Sequence, residues 1–146
     1  MASKKANKIL VIDADSDILD SLIAVLNDEV SVSFASEGTK ALELVAQHKP
    51  DLILLDVVMP GMDGFEVCTQ LKENPDTQHI PIIFVTGKTD GQDMVKGLTL
   101  GAVDYITKPF DPEIVAAKIE NILKQITATR ASSIPEQSEA TAPTGS

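Results

Sequence analysis

Apolar residues gather in five short runs along the chain, separated by stretches with helical spacing. Ile9-Leu10-Val11-Ile12, Leu52-Ile53-Leu54-Leu55 and Ile82-Ile83-Phe84-Val85 are continuous, and each is closed by a polar residue: Asp13, Asp56 and Thr86. Residues 30–35 alternate instead, with Val30, Val32 and Phe34 apolar and Ser31 and Ser33 polar. The fifth run carries Asp104 and leads into Lys108. Between the runs the period changes: Ile18, Leu19, Leu22, Ile23 and Leu26 fall on one helical face, as do Val115, Ile119, Ile122 and Ile126. The pattern predicts strands over 8–13, 30–35, 51–56, 80–86 and 102–107, and helices over 16–28, 37–48, 64–74, 90–100 and 112–127. Asp15 or Ser16 can cap the first helix, and Asn74-Pro75 stops the third.

The character of each strand suggests its place. Strands 1, 3 and 4 are apolar throughout, as expected of strands covered on both faces by helices. Strand 2 alternates and strand 5 carries Asp104, so both belong at edges. With right-handed crossovers, an α/β fold with a five-stranded parallel sheet of order 2-1-3-4-5 satisfies these constraints. The order reverses between strands 1 and 3, beside Asp13 and Asp56, and ligands of open α/β sheets bind at such a point. Asp13, Asp56, Thr86 and Lys108 then share one edge. Two acids, a hydroxyl and an ammonium suit a phosphoryl group: one carboxylate as acceptor, the other to hold a hard cation, the hydroxyl and ammonium to bind oxygens.

Composition narrows the partners. The chain has 146 residues, enough for one domain with one core. Its 22 acidic and 12 basic side chains give a net charge of -10, which argues against autonomous binding to nucleic acid or an anionic membrane. The Lys4, Lys5 and Lys8 cluster reads as a solvated chain end. Cys68 is the single cysteine, so no intrachain disulfide forms, and a reducing, cytoplasmic setting is expected. No apolar run approaches the roughly 20 residues that span a bilayer, and the first residues lack the apolar stretch of a signal peptide. His48 and His79 read as surface residues without metal-spaced partners. Residues 127–146, rich in Ala, Ser, Thr, Pro and Glu, are expected to be a disordered tail or a linker toward another domain.

Five segments together resemble the receiver domain of two-component response regulators, over residues 7–126. They are Lys8-Ile9-Leu10-Val11-Ile12-Asp13, Asp51-Leu52-Ile53-Leu54-Leu55-Asp56, Met59-Pro60-Gly61-Met62-Asp63-Gly64, Val85-Thr86-Gly87, and Asp104-Tyr105-Ile106-Thr107-Lys108-Pro109-Phe110. The resemblance implies a flavodoxin-like three-layer sandwich. It implies that Asp56 accepts a phosphoryl group from a sensor histidine kinase or phosphotransfer protein, and that a downstream protein partner reads the result. It implies that Mg²⁺ is held by Asp13, Asp56 and the Val58 carbonyl, that Thr86 and Lys108 bind phosphoryl oxygens, and that the Lys108–Pro109 bond is cis. It also implies a switch: Thr86 moves toward the phosphoryl group, Tyr105 fills the space left behind, and the face made by helix 4, strand 5 and helix 5 changes. Gly91 and Gly97 should make helix 4 the least stable of the five.

One departure stands out. The family usually has two adjacent acids after strand 1, the second a direct metal ligand; here the sequence is Asp13-Ala14-Asp15. Ala14 ligates nothing. Asp15 is a spare acid that either reaches the metal or caps the helix, so Mg²⁺ is expected to bind weakly. Two other readings follow: a degenerate receiver that binds partners without being phosphorylated, and a phosphatase resembling the haloacid dehalogenases, with Asp13 as nucleophile. On the first reading the domain is a phosphoacceptor and not an enzyme beyond its own phosphorylation and dephosphorylation.

Overall fold

The computed structural model describes residues 7–26 and 30–132. It contains β1 (Asn7–Ile12), α1 (Asp17–Ile23), β2 (Val30–Ala35), α2 (Gly38–His48), β3 (Leu52–Leu55), α3 (Gly64–Glu73), β4 (Ile82–Thr86), α4 (Gly91–Thr99), β5 (Asp104–Thr107) and α5 (Pro112–Ser132). The five strands are parallel, in the order β2-β1-β3-β4-β5, as the hydrophobic pattern requires.

Alternate side chains of the central strands feed two cores. Leu10, Ile12, Ile53, Leu55, Ile82, Phe84 and Tyr105 point into the layer with Val45, Phe65, Val67 and Leu71 of α2 and α3. Ile9, Val11, Leu52, Leu54, Ile83 and Val85 point the other way, against Ile18 and Leu22 of α1 and Val115, Ile119 and Leu123 of α5. Burial on both faces is why these strands read as unbroken apolar runs. In β2 only Ala35 is fully buried, and in β5 Asp104 accepts a bond from Lys118 Nζ at 3.0 Å, so both edge placements hold.

Three expectations needed revision. α1 ends at Ile23 rather than 28, because the amides of Val25 and Leu26 both turn back to the Leu22 carbonyl and tighten the last turn. Ile23, at the margin of the stripe, is therefore 54% exposed. Residues 27–28 of the expected helix lie outside the described residues, as do Lys4 and Lys5. In α5, Leu123 is buried, whereas Ile122 and Ile126 pack only partly. The same helix continues to Ser132, past the boundary expected at 127, so residues 127–132 are helical rather than tail. The rest of the expected tail, 133–146, lies outside the described residues. No helix among the described residues is long and apolar enough to cross a membrane.

Candidate phosphoacceptor site

Strand register brings the polar residues together. Ile12 pairs with Leu55, so Asp13 and Asp56 emerge side by side at the carboxyl ends of β1 and β3. The Asp56 amide donates to the Ile12 carbonyl at 2.8 Å, which extends the pairing by one residue. Thr86 pairs with Thr107, and the Lys108 amide donates to the Thr86 carbonyl at 2.8 Å. Lys108 then turns across the sheet edge through a cis bond to Pro109.

The Lys108 ammonium links the two acids. Nζ donates to Asp13 Oδ2 at 2.6 Å and to Asp56 Oδ2 at 3.2 Å. The remaining oxygens are occupied by local backbone: Asp13 Oδ1 accepts from the Asp15 amide at 2.8 Å, and Asp56 Oδ1 from the Val58 amide at 3.2 Å. Asp13 is 1% exposed and Asp56 8%, so Asp56 is the acid nearer to solvent. One cation between two carboxylates leaves the cluster with a net negative charge. Burial pushes the Asp13 carboxyl above the usual range; the Lys108 hydrogen bond opposes this and the Asp56 charge adds to it. Burial would lower the Lys108 pKa, but the bond to Asp13 and the Asp56 charge outweigh it and hold the ammonium above the ordinary lysine value.

This arrangement has a pH signature. Between the ordinary lysine pKa of about 10.4 and the raised one, the folded chain keeps a proton that the unfolded chain releases. Stability from Lys108 is therefore complete below the ordinary value and is lost as pH rises through the folded one. Lys108→Met should flatten that alkaline loss. It should also lower stability at neutral pH by roughly 1–3 kcal/mol, the cost of leaving buried acceptors without a donor. Urea melts of both proteins from neutral to strongly alkaline pH check this; parallel curves would mean that the ion pair contributes nothing.

Thr86 is fully buried, and its Oγ1 accepts from the Lys88 amide at 3.3 Å. Tyr105 points inward, 7% exposed, and its hydroxyl donates to the Lys88 carbonyl at 2.8 Å. The two residues hold opposite ends of Lys88, Thr86 accepting from its amide and Tyr105 donating to its carbonyl. Burial, and then the charges of Asp93, Asp56 and Asp90, hold the Tyr105 phenol above its ordinary pKa.

The Asp15 carboxylate accepts from the Asp17 amide at 2.9 Å at the start of α1, while Ser16 makes no side-chain cap bond. Among the described residues no three His, Cys, Asp or Glu side chains form a metal cluster. His48 and His79 are exposed. A cleft of about 240 Å³ runs beside Lys108, lined by Asp15, Asp17, Ile18, Ser21 and Phe110. A larger cavity, about 360 Å³, lies among Pro50, His79, Ile80 and Ile126, lined by none of the acceptor-site residues.

One positioning residue carried no assignment from the sequence. A Cβ on Gly64, the first residue of α3, would lie 2.0 Å from the Asp56 carbonyl oxygen. The start of α3 thus presses directly on the backbone of the acceptor, and the Gly64 amide donates to the Val57 carbonyl at 2.8 Å. The visible signal was Asp63-Gly64 at a helix start. Asp63 caps α3 by accepting from the Glu66 amide at 2.9 Å, but close approach behind Asp56 cannot be read from one strand.

Residues 9–120 match the model of the response regulator receiver domain. The chain belongs to that family. A probable cyclic di-GMP phosphodiesterase of Vibrio cholerae is 41% identical over 116 residues, 80% of this chain and 26% of that protein. The response regulator PleD of Caulobacter vibrioides is 42% identical over 118 residues, again 80% of this chain and 26% of the relative. The receiver thus spans about a quarter of the length of these curated relatives. Among solved structures, a putative response regulator from Chloroflexus aurantiacus superposes with a TM-score of 0.74 at 32% identity, covering 81% of this chain and 98% of that one.

Proposed function

We infer that this receiver is a phosphoacceptor switch, with Asp56 taking a phosphoryl group from the phosphohistidine of a sensor kinase or phosphotransfer protein. The supporting observation is the Lys108 ammonium bridging Asp13 and Asp56, with Asp56 the more open of the two acids. An Asp56 carboxylate oxygen attacks phosphorus, the phosphorus–nitrogen bond to the donor imidazole breaks, and the imidazole keeps the electron pair and takes a proton. The product is an acyl phosphate. Lys108 shifts from Asp56 to a phosphoryl oxygen. Thr86 now only accepts from Lys88, so its own hydrogen is available to donate to another oxygen. Phosphoryl transfer asks mainly for such positioning and charge compensation. On this reading the domain is regulated rather than catalytic, and its output passes to a protein through the face of α4, β5 and α5.

Receiver domains generally use Mg²⁺ here, and the donor set fits it thinly. Asp13 and Asp56 offer two adjacent hard anions, to which the Val58 carbonyl can add; magnesium fills its other positions with water and phosphoryl oxygens. Bound there, the ion would offset repulsion between the carboxylates and the incoming group. Ala14 contributes no ligand, and Asp15 is engaged at the start of α1. Ala14→Asp should therefore tighten Mg²⁺ binding by about tenfold, equivalent to about 1.4 kcal/mol. Calorimetric titration of both proteins checks this, and equal affinities would mean that another group already fills the role.

Intact mass after incubation with acetyl phosphate, with and without Mg²⁺, tests the main reading, with one added phosphoryl group as the expected result. No addition under any condition would favour the second reading, a degenerate receiver that acts through protein contacts alone, which the missing acid at Ala14 supports.

A further inference from the structure

Gly97 is the one buried residue of α4, and it packs against aromatic rings. A Cβ at this position would lie 2.9 Å from Phe84 Cδ2, 3.1 Å from Phe84 Cε2 and 3.1 Å from Tyr105 Cδ2. Real Cβ atoms almost never approach as closely as 2.9 Å, and contacts of 3.1 Å are tighter than nearly all of theirs, so the rings must give way by a few tenths of an ångström. Phe84 has little room: it is fully buried in β4 and packs edge-on against Phe65 at 5.4 Å, with the Lys96 ammonium 4.6 Å from the Phe65 ring. Tyr105 is less confined. It lies on edge strand β5 and is held inward by the tilted contact with Phe84 at 5.8 Å and one hydrogen bond to Lys88.

We propose that Gly97 is the positioning residue of the switch: its missing Cβ is the space that lets Tyr105 sit inward, so the residue at 97 sets the balance between inward and outward Tyr105. The functional consequence rests on Tyr105 serving as the switch, as the family resemblance implies; the steric claim does not. Gly91 supplies the contrast. It belongs to the same helix, and a Cβ there would meet nothing within 4 Å. Glycine-to-alanine changes within a helix ordinarily stabilise it, so Gly91→Ala should behave normally and Gly97→Ala should not.

Tyr105 is the single tyrosine, and the chain has no tryptophan, so its fluorescence reports one ring. Acrylamide quenching of the full chain should be weak in the parent and in Gly91→Ala, and several-fold stronger in Gly97→Ala. The phenol of Gly97→Ala should titrate closer to the ordinary tyrosine value. Unchanged quenching and titration in Gly97→Ala would overturn the proposal. Should that variant unfold, Gly97→Ala is compared in the Tyr105→Ala background by thermal melting. A smaller penalty there supports the proposal; an equal one means that residue 97 meets Phe84 alone and overturns it. The switch is read separately, from quenching of the parent before and after beryllium fluoride. No change in the parent removes Tyr105 as the switch, whereas the Gly97 comparison is made without any phosphoryl mimic.

Discussion

Asp56→Asn should gain no phosphoryl group from acetyl phosphate, whereas the unaltered protein gains one. The amide matches the carboxylate in size but lacks the anionic oxygen that attacks phosphorus. Asp13→Asn separates the roles of the two acids. It leaves Asp56 and Lys108 in place and removes the acid that lies 2.6 Å from the ammonium. Phosphorylation should persist in Asp13→Asn, more slowly and with weaker dependence on Mg²⁺. Intact mass gives the stoichiometry, and treatment with hydroxylamine, which cleaves acyl phosphates, identifies the linkage. Addition that survives Asp56→Asn and disappears in Asp13→Asn would instead fit the phosphatase-like reading, with its nucleophile at the end of β1. Neither substitution should unfold the protein. Each removes one of two like charges facing a single cation, and the pair carries more negative charge than Lys108 can offset.

The topology was legible because each strand announced its environment. Three unbroken apolar runs can only be buried on both faces, an alternating run only half-covered, and Asp104 had to reach water or a partner, which it finds in Lys118. Once the order was set, parallel strands put Asp13, Asp56, Thr86 and Lys108 on one edge, where register sets Asp13 beside Asp56 and Thr86 beside the residue before Lys108. What escaped were contacts that sequence patterning does not encode. A helical stripe gives a face but not its most buried positions, so Ile122 stood in for Leu123. Helix ends depend on local turns, which stopped α1 early and let α5 run on. Asp15 had two uses open to it, and only geometry placed its carboxylate on the Asp17 amide. The glycines were the least legible. Gly91 and Gly97 looked alike as helix weakeners, yet one faces open space and the other touches two rings.

Gly64→Ala should damage both stability and phosphorylation, although alanine at a helix position usually helps. The added Cβ would lie 2.0 Å from the Asp56 carbonyl oxygen, 2.8 Å from its carbonyl carbon and 2.9 Å from Val57 Cα. All three neighbours are backbone, so no rotamer change relieves the contact. Either α3 lifts away from the sheet or the chain at Asp56 and Val57 moves. The first route opens the packing of Phe65, Val67, Cys68 and Leu71, all buried against the sheet. The second displaces the acceptor from Lys108, where its bond is already 3.2 Å long. Overpacking of this kind costs typically 1–3 kcal/mol, which outweighs the roughly 1 kcal/mol that alanine gains over glycine in helix propensity. The melting temperature should fall by several degrees, and the phosphorylation rate should fall further than the loss of folded protein explains. Gly91→Ala is the control, because it makes the same chemical change where nothing lies within 4 Å. If Gly64→Ala melts at or above the parent temperature and is phosphorylated at the parent rate, α3 does not fix the position of Asp56, and the acceptor is held by strand pairing and Lys108 alone.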